Sequence, residues 1–400
     1  MTNSTTIYAD YKFDPKHPEN LIPYLTNNNN VSKYTISISR IEGALTNVIY
    51  KASLLDLDGE STNQDFLIRI YDTKNDNIID RDNELAILKR LPQSFDKIKI
   101  LFHFQNGRIE NFLNNYRAIR SNEMSQPHNL TKIAYRFKEL HSLTNLTPEE
   151  KTYYGSNGTK SKYHCFCWDT IFNWVDTIDQ YTPWLTVRDN ENVRNNLFCK
   201  DWPTFKRIVH AYRDWLIIND CESFKKMALC HNDTQHGNIM IERNTNIDSD
   251  IIFIDFEYGG IDTISFDLAN FLSECMNDYE AEDSSFCDPK KFPTSKQTMH
   301  FIKSYLTHLG STEVEESSER QLYNSLLKWR SSSQLFWSVW AILQSGELNN
   351  ETIDQTGRFQ YLRFAQSKMS LFWNDMMKLG IASNDDCIIE NVKDMELNLL

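Results

Sequence analysis

Up to about residue 112 the apolar side chains of this chain sit at β spacing, and beyond it they recur at helical spacing; that switch limits the fold more than any other feature. Tyr34 to Ser39 and Val48 to Leu55 alternate or run in β-formers around a Gly43-Ala44 turn, and Phe66 to Tyr71 is a third such run. Asp80 to Leu91 places Leu85, Ile87, Leu88 and Leu91 on one helix face and stops before Pro92. Ile98 to Phe104 and Arg108 to Phe112 read as a strand pair turning at Asn106-Gly107. Long amphipathic stretches follow, at Leu130 to Leu143, Trp202 to Leu216, Thr298 to Leu309 and Glu319 to Gln344. The pattern predicts an α+β chain with a small antiparallel sheet carrying one helix, then a larger, mainly helical part. The expected divisions are a flexible N-terminal extension over residues 1–30, one lobe over 31–112 and a second over 113–400; the Ser/Glu-rich stretch Ser311 to Arg320 reads as a solvated loop or helix start.

Two short apolar runs interrupt the helical part, Ala228 to Cys230 and Ile251 to Ile254, and each leads into polar residues. After the first come His231-Asn232-Asp233-Thr234-Gln235-His236-Gly237-Asn238; after the second come Asp255-Phe256-Glu257-Tyr258. Either motif alone could be a helix cap or a turn. Together and in this order they hold what phosphoryl transfer from ATP requires, an oriented acceptor hydroxyl and oxygen ligands for a metal. Asp233 would accept or orient the hydroxyl proton. Asn238 and Asp255 would give neutral and anionic oxygen to Mg2+, a hard cation.

Composition excludes other classes. With a formal net charge of -13, the chain is poorly suited to nucleic acid or an anionic membrane. No apolar run reaches eighteen residues and no apolar signal core opens the chain, so no integral membrane segment is expected. Among the eight cysteines there is no CxxC pair and no zinc spacing, and reduced thiols in a cytoplasmic protein are the default reading.

Leu229 to Asn238 with Ile254 to Tyr258 resembles the paired signatures of the choline/ethanolamine kinase family, whose members share a two-lobed protein-kinase-like fold. The similarity runs roughly from Tyr34 to Lys368. It implies Asp233 as catalytic base, Gln235 as its neighbouring stabiliser, Asn238 and Asp255 as metal ligands, and Glu257 beside a second magnesium. Ile41 to Asn47 resembles the turn that covers the ATP phosphates, which nominates Gly43, Ala44, Thr46 and Asn47. The resemblance makes Arg69 the cation offered to the phosphates, Glu84 the residue orienting it, and Gly107 to Phe112, with Glu110 and Phe112, the lobe-joining segment that holds adenine. Asp267 and Asn270 are similar to residues bracing the catalytic loop.

The acceptor is the second question. A quaternary ammonium has no hydrogen to donate and is recognised by aromatic faces with a carboxylate nearby. Trp337 and Trp340 stand three apart on one predicted helix and share a face. The resemblance gathers them with Tyr258, Glu274, Tyr279 and Tyr361 around a choline head group. Gln235 with Gly237, and Asp278-Tyr279 after Glu274, are more like choline kinases; ethanolamine kinases share the Trp pair. His236 replaces a usual acidic residue and Phe364 a usual tyrosine, and the histidine predicts a titration near neutral pH.

The resemblance therefore implies a choline kinase with choline and ATP as substrates, opening phosphatidylcholine synthesis by the CDP-choline route, with a homodimer left open. The alternatives are an ethanolamine kinase, an aminoglycoside-type phosphotransferase, and a non-catalytic quaternary-ammonium-binding pseudokinase. The presence of Asp233, Asn238 and Asp255 argues against the last.

Overall fold

The β-spaced part of the chain forms a six-stranded sheet in the computed structural model, which describes residues 7–8, 10–26, 31–41, 47–71, 79–155, 164–181, 184–185, 191–221, 226–243, 249–310, 315–346, 348, 359–388 and 394–400. Its strands are β1 (Ile7–Tyr8), β2 (Tyr34–Ile41), β3 (Asn47–Asp56), β4 (Ser61–Tyr71), β5 (Ile100–Phe104) and β6 (Gly107–Asn111), in the order β1-β5-β6-β4-β3-β2. All neighbours are antiparallel except β1 and β5. Gly107 is required where β6 passes β4, because a Cβ there would lie 2.0 Å from the Arg69 carbonyl oxygen. Helix α1 (Arg81–Leu88) follows β4.

Residues 10–26 are not a free extension. Phe13 and Leu21 are buried in one cluster with Ala52, Ile68, Phe102, Phe104 and Ile109, and the Phe13 amide donates to Asn106 at 2.9 Å. Asn-rich flanks hid these few apolar anchors, which supply the burial that holds the segment. The chain divides into a sheet unit, Met1–Leu85 with Gln93–Arg117 and Ile241–Ser249, and a helical unit, Ala86–Pro92 with Ala118–Met240 and Asp250–Leu400.

The helical unit is built on α2 (Pro127–Leu143), α3 (Phe166–Asp179), α4 (Trp202–Asn219), α5 (Ile264–Glu274), α6 (Ser295–Thr307), α7 (Glu316–Gln344) and α8 (Tyr361–Lys378). Their starts follow local chemistry. Asp201 accepts from the Thr204 amide ahead of α4, Thr263 from Ser265 ahead of α5, and Thr294 forms a capping box with Gln297 ahead of α6. Helix α7 is buried almost continuously from Leu322 to Ile342, and the Arg330 guanidinium locks it to α8 through Asp375 at 2.7 and 2.6 Å. Trp168, Trp174 and Trp184, whose spacing had no reading in the sequence, are core residues. The centroid of Trp174 lies 4.6 Å from that of Phe336, and Trp168 is 5.7 Å from Tyr212.

Five short strands remain among the described residues. β7 (Tyr116–Ala118), β9 (Ile239–Glu242) and β10 (Ile251–Phe253) form a three-stranded sheet, and β8 (Met227–Cys230) pairs antiparallel with β11 (Gly260–Thr263). The apolar runs before Asp233 and Asp255 are therefore strands, as the sequence predicts. Among the described residues no helix is long and apolar enough to cross a membrane.

Candidate active site

The ends of β8 and β10 are tied together twice. His231 Nε2 bonds the Ile254 carbonyl at 2.8 Å while its Nδ1 accepts the Asp233 amide at 3.2 Å. That pattern makes Nε2 the protonated nitrogen, and burial lowers the ring's pKa. The Ile254 amide in turn donates to the Asn238 carbonyl at 2.9 Å. Asp233, Asn238 and Asp255 are thereby brought to one place.

Two residues take left-handed backbone to achieve this, Asn232 at φ 64° and Asp255 at φ 66°. Such strain in a non-glycine residue persists only where its surroundings over-determine it. Here the brace is Asp267, whose oxygens accept the His231 and Asn232 amides at 2.9 and 2.8 Å. Burial alone would raise the pKa of Asp267, but His141, bonded to it at 3.0 Å, and the nearby His231 hold it below the ordinary carboxylate range. Asn270 adds a bond to the Asn232 carbonyl at 3.1 Å. Both braces implied by the resemblance are thus found in contact with the loop. His141, absent from the sequence reading, completes them through Tyr305 at 3.0 Å.

The Asn238 amide nitrogen donates to the Asp233 main-chain oxygen at 2.9 Å and to its carboxylate at 2.8 Å. This orientation leaves the amide oxygen as the atom to offer a cation. Loss of hydration, then the charges of Glu274, Glu257 and Asp255, push Asp233 well above the ordinary carboxylate range. Crowded carboxylates beside a neutral amide oxygen make a hard donor set whose mutual repulsion a divalent cation would relieve, so these residues fit magnesium. Gln235 acts locally, its side-chain oxygen accepting the Gly237 amide at 2.7 Å and capping the turn His236–Asn238.

The aromatic residues also converge. Trp337 and Trp340 lie 5.5 Å apart at 82°, Tyr258 lies 5.2 Å from Trp337, and Tyr361 lies 5.7 Å from Trp340. Each indole N–H is fixed, Trp337 on Asn270 at 2.9 Å and Trp340 on the Tyr258 hydroxyl at 2.7 Å. The Tyr279 hydroxyl donates to Glu274 at 2.7 Å, and Phe364 lies 6.4 Å from Trp340 and 6.3 Å from Tyr279. His236 stacks on Tyr279 at 5.5 Å and accepts the Tyr279 amide at 3.2 Å. Its burial lowers the ring's pKa below the ordinary histidine value.

In the sheet unit the expected roles shift. Gly43, Ala44 and Thr46 lie outside the described residues, while Asn47 opens β3, buried, opposite Tyr71. Arg69 and Arg108 face each other across β4 and β6. Glu84 closes two hydrogen bonds on Arg108, at 2.6 and 2.8 Å, so the partner it holds directly is Arg108; Arg69 acts on it through charge. Glu110 bonds Arg108 at 2.6 Å and lies 3.7 Å from Arg69. Its main chain pairs with β4 on one side and β5 on the other; Phe112, just beyond β6, packs its ring under Lys51 at 4.8 Å. Arg108 was missed because its partner Glu84 comes from α1, 24 residues away in the chain.

A sheet unit carrying a buried Arg/Glu cluster, and a helical unit presenting an Asp, an Asn and a second Asp at strand ends, define a protein-kinase-like phosphotransferase. The choline/ethanolamine kinase family profile matches residues 38–373. The choline kinase of Saccharomyces cerevisiae is 30% identical, over 88% of this chain and 72% of its own length. The ethanolamine kinase of the same yeast is 32% identical, over 89% and 73%. In fold, the chain is similar to an ethanolamine kinase from Plasmodium vivax, with a TM-score of 0.67 and 22% identity over 89% of this chain and 88% of that one. The chain belongs to the choline/ethanolamine kinase family and is an ATP-dependent kinase of small-molecule substrates.

Proposed function

We propose that the chain is a choline kinase, transferring the γ-phosphoryl group of ATP to the hydroxyl of choline to give phosphocholine and ADP. The observation that carries this reading is the ring cluster of Tyr258, Trp337, Trp340 and Tyr361 beside Glu274 and Tyr279. A trimethylammonium group offers no hydrogen-bond donor, and ring faces suit it as no polar site does.

Asp233, anchored by Asn238, takes the hydroxyl proton as the oxygen attacks phosphorus and the bond to ADP breaks. When bound, magnesium would supply charge neutralisation on the phosphate oxygens, held by Asn238 and Asp255 with Glu257 nearby. Arg69 is the proposed cation for the phosphates, fixed within a cluster whose four charges balance. The reaction would open the CDP-choline route in the cytoplasm.

Ethanolamine is the second reading, favoured by similar identity to the yeast ethanolamine kinase. Measuring kcat/KM for both acceptors side by side decides between them. The proposal expects choline to be the better substrate, and a higher value for ethanolamine overturns it.

A further inference from the structure

Glu274, the last residue of α5, is the carboxylate nearest in kind to what a cationic acceptor would seek, yet neither of its oxygens is without a partner. Oε1 accepts from Lys368 Nζ at 3.0 Å, and Oε2 accepts from the Tyr279 hydroxyl at 2.7 Å. Glu274 is 1% exposed and Lys368 0%. The ammonium of Lys368 also lies 5.1 Å from the centroid of Phe364, a ring of the same aromatic group. The protein thus carries its own primary ammonium inside the cluster proposed to receive the substrate's.

A buried lysine and glutamate lose far more hydration than a surface pair, and such a pair is often replaceable by apolar residues without loss of stability. Its placement here has a chemical consequence. A primary ammonium brings three N–H donors and needs acceptors for them, whereas a quaternary ammonium needs none. With Glu274 bonded to Lys368 and Tyr279, a primary ammonium has to compete with Lys368 for that carboxylate. A quaternary one is held by the rings and meets no such competition.

We propose that Lys368 is a specificity-determining positioning residue: as the fixed internal counter-ion of Glu274, it biases the acceptor site toward a quaternary ammonium. The inference rests on the proposed acceptor site and goes beyond it by naming the residue that sets the preference.

The test compares Lys368→Met, Lys368→Arg and the charge-neutral double variant Glu274→Gln/Lys368→Met, with kcat and KM measured separately for choline and ethanolamine and folding checked by thermal unfolding. Lys368→Met exposes Glu274 to the substrate, and the choline-over-ethanolamine ratio of kcat/KM should fall by about tenfold, the weight of one hydrogen bond to a charged group, mainly through KM. Lys368→Arg should keep the wild-type ratio, and the double variant, with no carboxylate to offer, should again favour choline. Equal losses for both acceptors in Lys368→Met, or the same altered ratio in Lys368→Arg, would show a merely structural pair. If Lys368→Met does not fold, the double variant decides, because a preference for ethanolamine there overturns the proposal. Wild-type turnover of choline with an unchanged ratio in Lys368→Met sinks this inference alone; wild-type turnover of neither acceptor sinks the proposed function with it.

Discussion

The Asn238 side chain grips Asp233 at two points, donating 2.9 Å to its carbonyl and 2.8 Å to its carboxylate. One amide group thus holds the proposed base and aims its own oxygen at the place a cation would take. The carboxylates around Asp233 repel one another, and the strained Asn232 persists because Asp267 and Asn270 hold the loop. A site of this kind trades stability for chemistry.

Asp233→Asn tests that trade. It should lower kcat by roughly 10²- to 10⁴-fold, the usual contribution of a general base. Because the change deletes one of several repelling carboxylates, the thermal midpoint should stay level or rise. A falling midpoint with kcat retained would place Asp233 in the scaffold.

Asp255→Asn should leave an oxygen in place with less charge. Titrating magnesium against ADP release, the half-maximal concentration should rise about tenfold or more, as expected when a ligand's charge is removed. An unchanged titration would remove Asp255 from the metal site.

Trp340→Leu removes a ring face and the bond to the Tyr258 hydroxyl. If the ring contacts the ammonium, KM for choline should rise roughly 3- to 30-fold, the range of one desolvated cation–π contact. The KM for ATP should not move.

Glu84 predicts an acid-sensitive step in stability. Burial works to raise its pKa, but Arg108, with Arg69 and Arg81, holds it at about 2 against a reference of 4.5. A depressed carboxylate stabilises the fold fully above the reference value and loses that contribution as pH falls through the folded value. Glu84→Gln should therefore weaken the protein by about 3 kcal/mol near neutrality, by urea unfolding. The difference from wild type should close between pH 4.5 and 2, the range set by this group. A gap independent of pH would mean that the Glu84 charge contributes nothing.

Much of this was legible in the sequence, for a reason that also marks its limits. Asp233 and Asn238 stand out because their spacing is local, and Asp233 and Asp255 because each comes after a short apolar run that forms a strand. Trp337 and Trp340 were paired by helical periodicity for the same reason. Arg108, His141 and Lys368 were not legible. Arg108 acquires its partner when α1 brings Glu84 to β6, and His141 from α2 meeting Asp267 on α5. Lys368 has the look of a solvated helical lysine until α8 packs it against Glu274. The N-terminal stretch hid its apolar anchors among polar residues: Phe13 and Leu21 are buried in the sheet's core, and Tyr11, Tyr24 and Leu25 pack against it.

Transfer of the γ-phosphoryl group to the acceptor hydroxyl at Asp233 is the central claim. The most direct measurement is phosphorus NMR of the purified protein with magnesium, ATP and choline, run beside Asp233→Asn. A phosphomonoester signal of phosphocholine growing in step with ADP, and absent from the variant, is the predicted result. ADP accompanied only by inorganic phosphate, or phosphocholine formed as fast by Asp233→Asn, would contradict it.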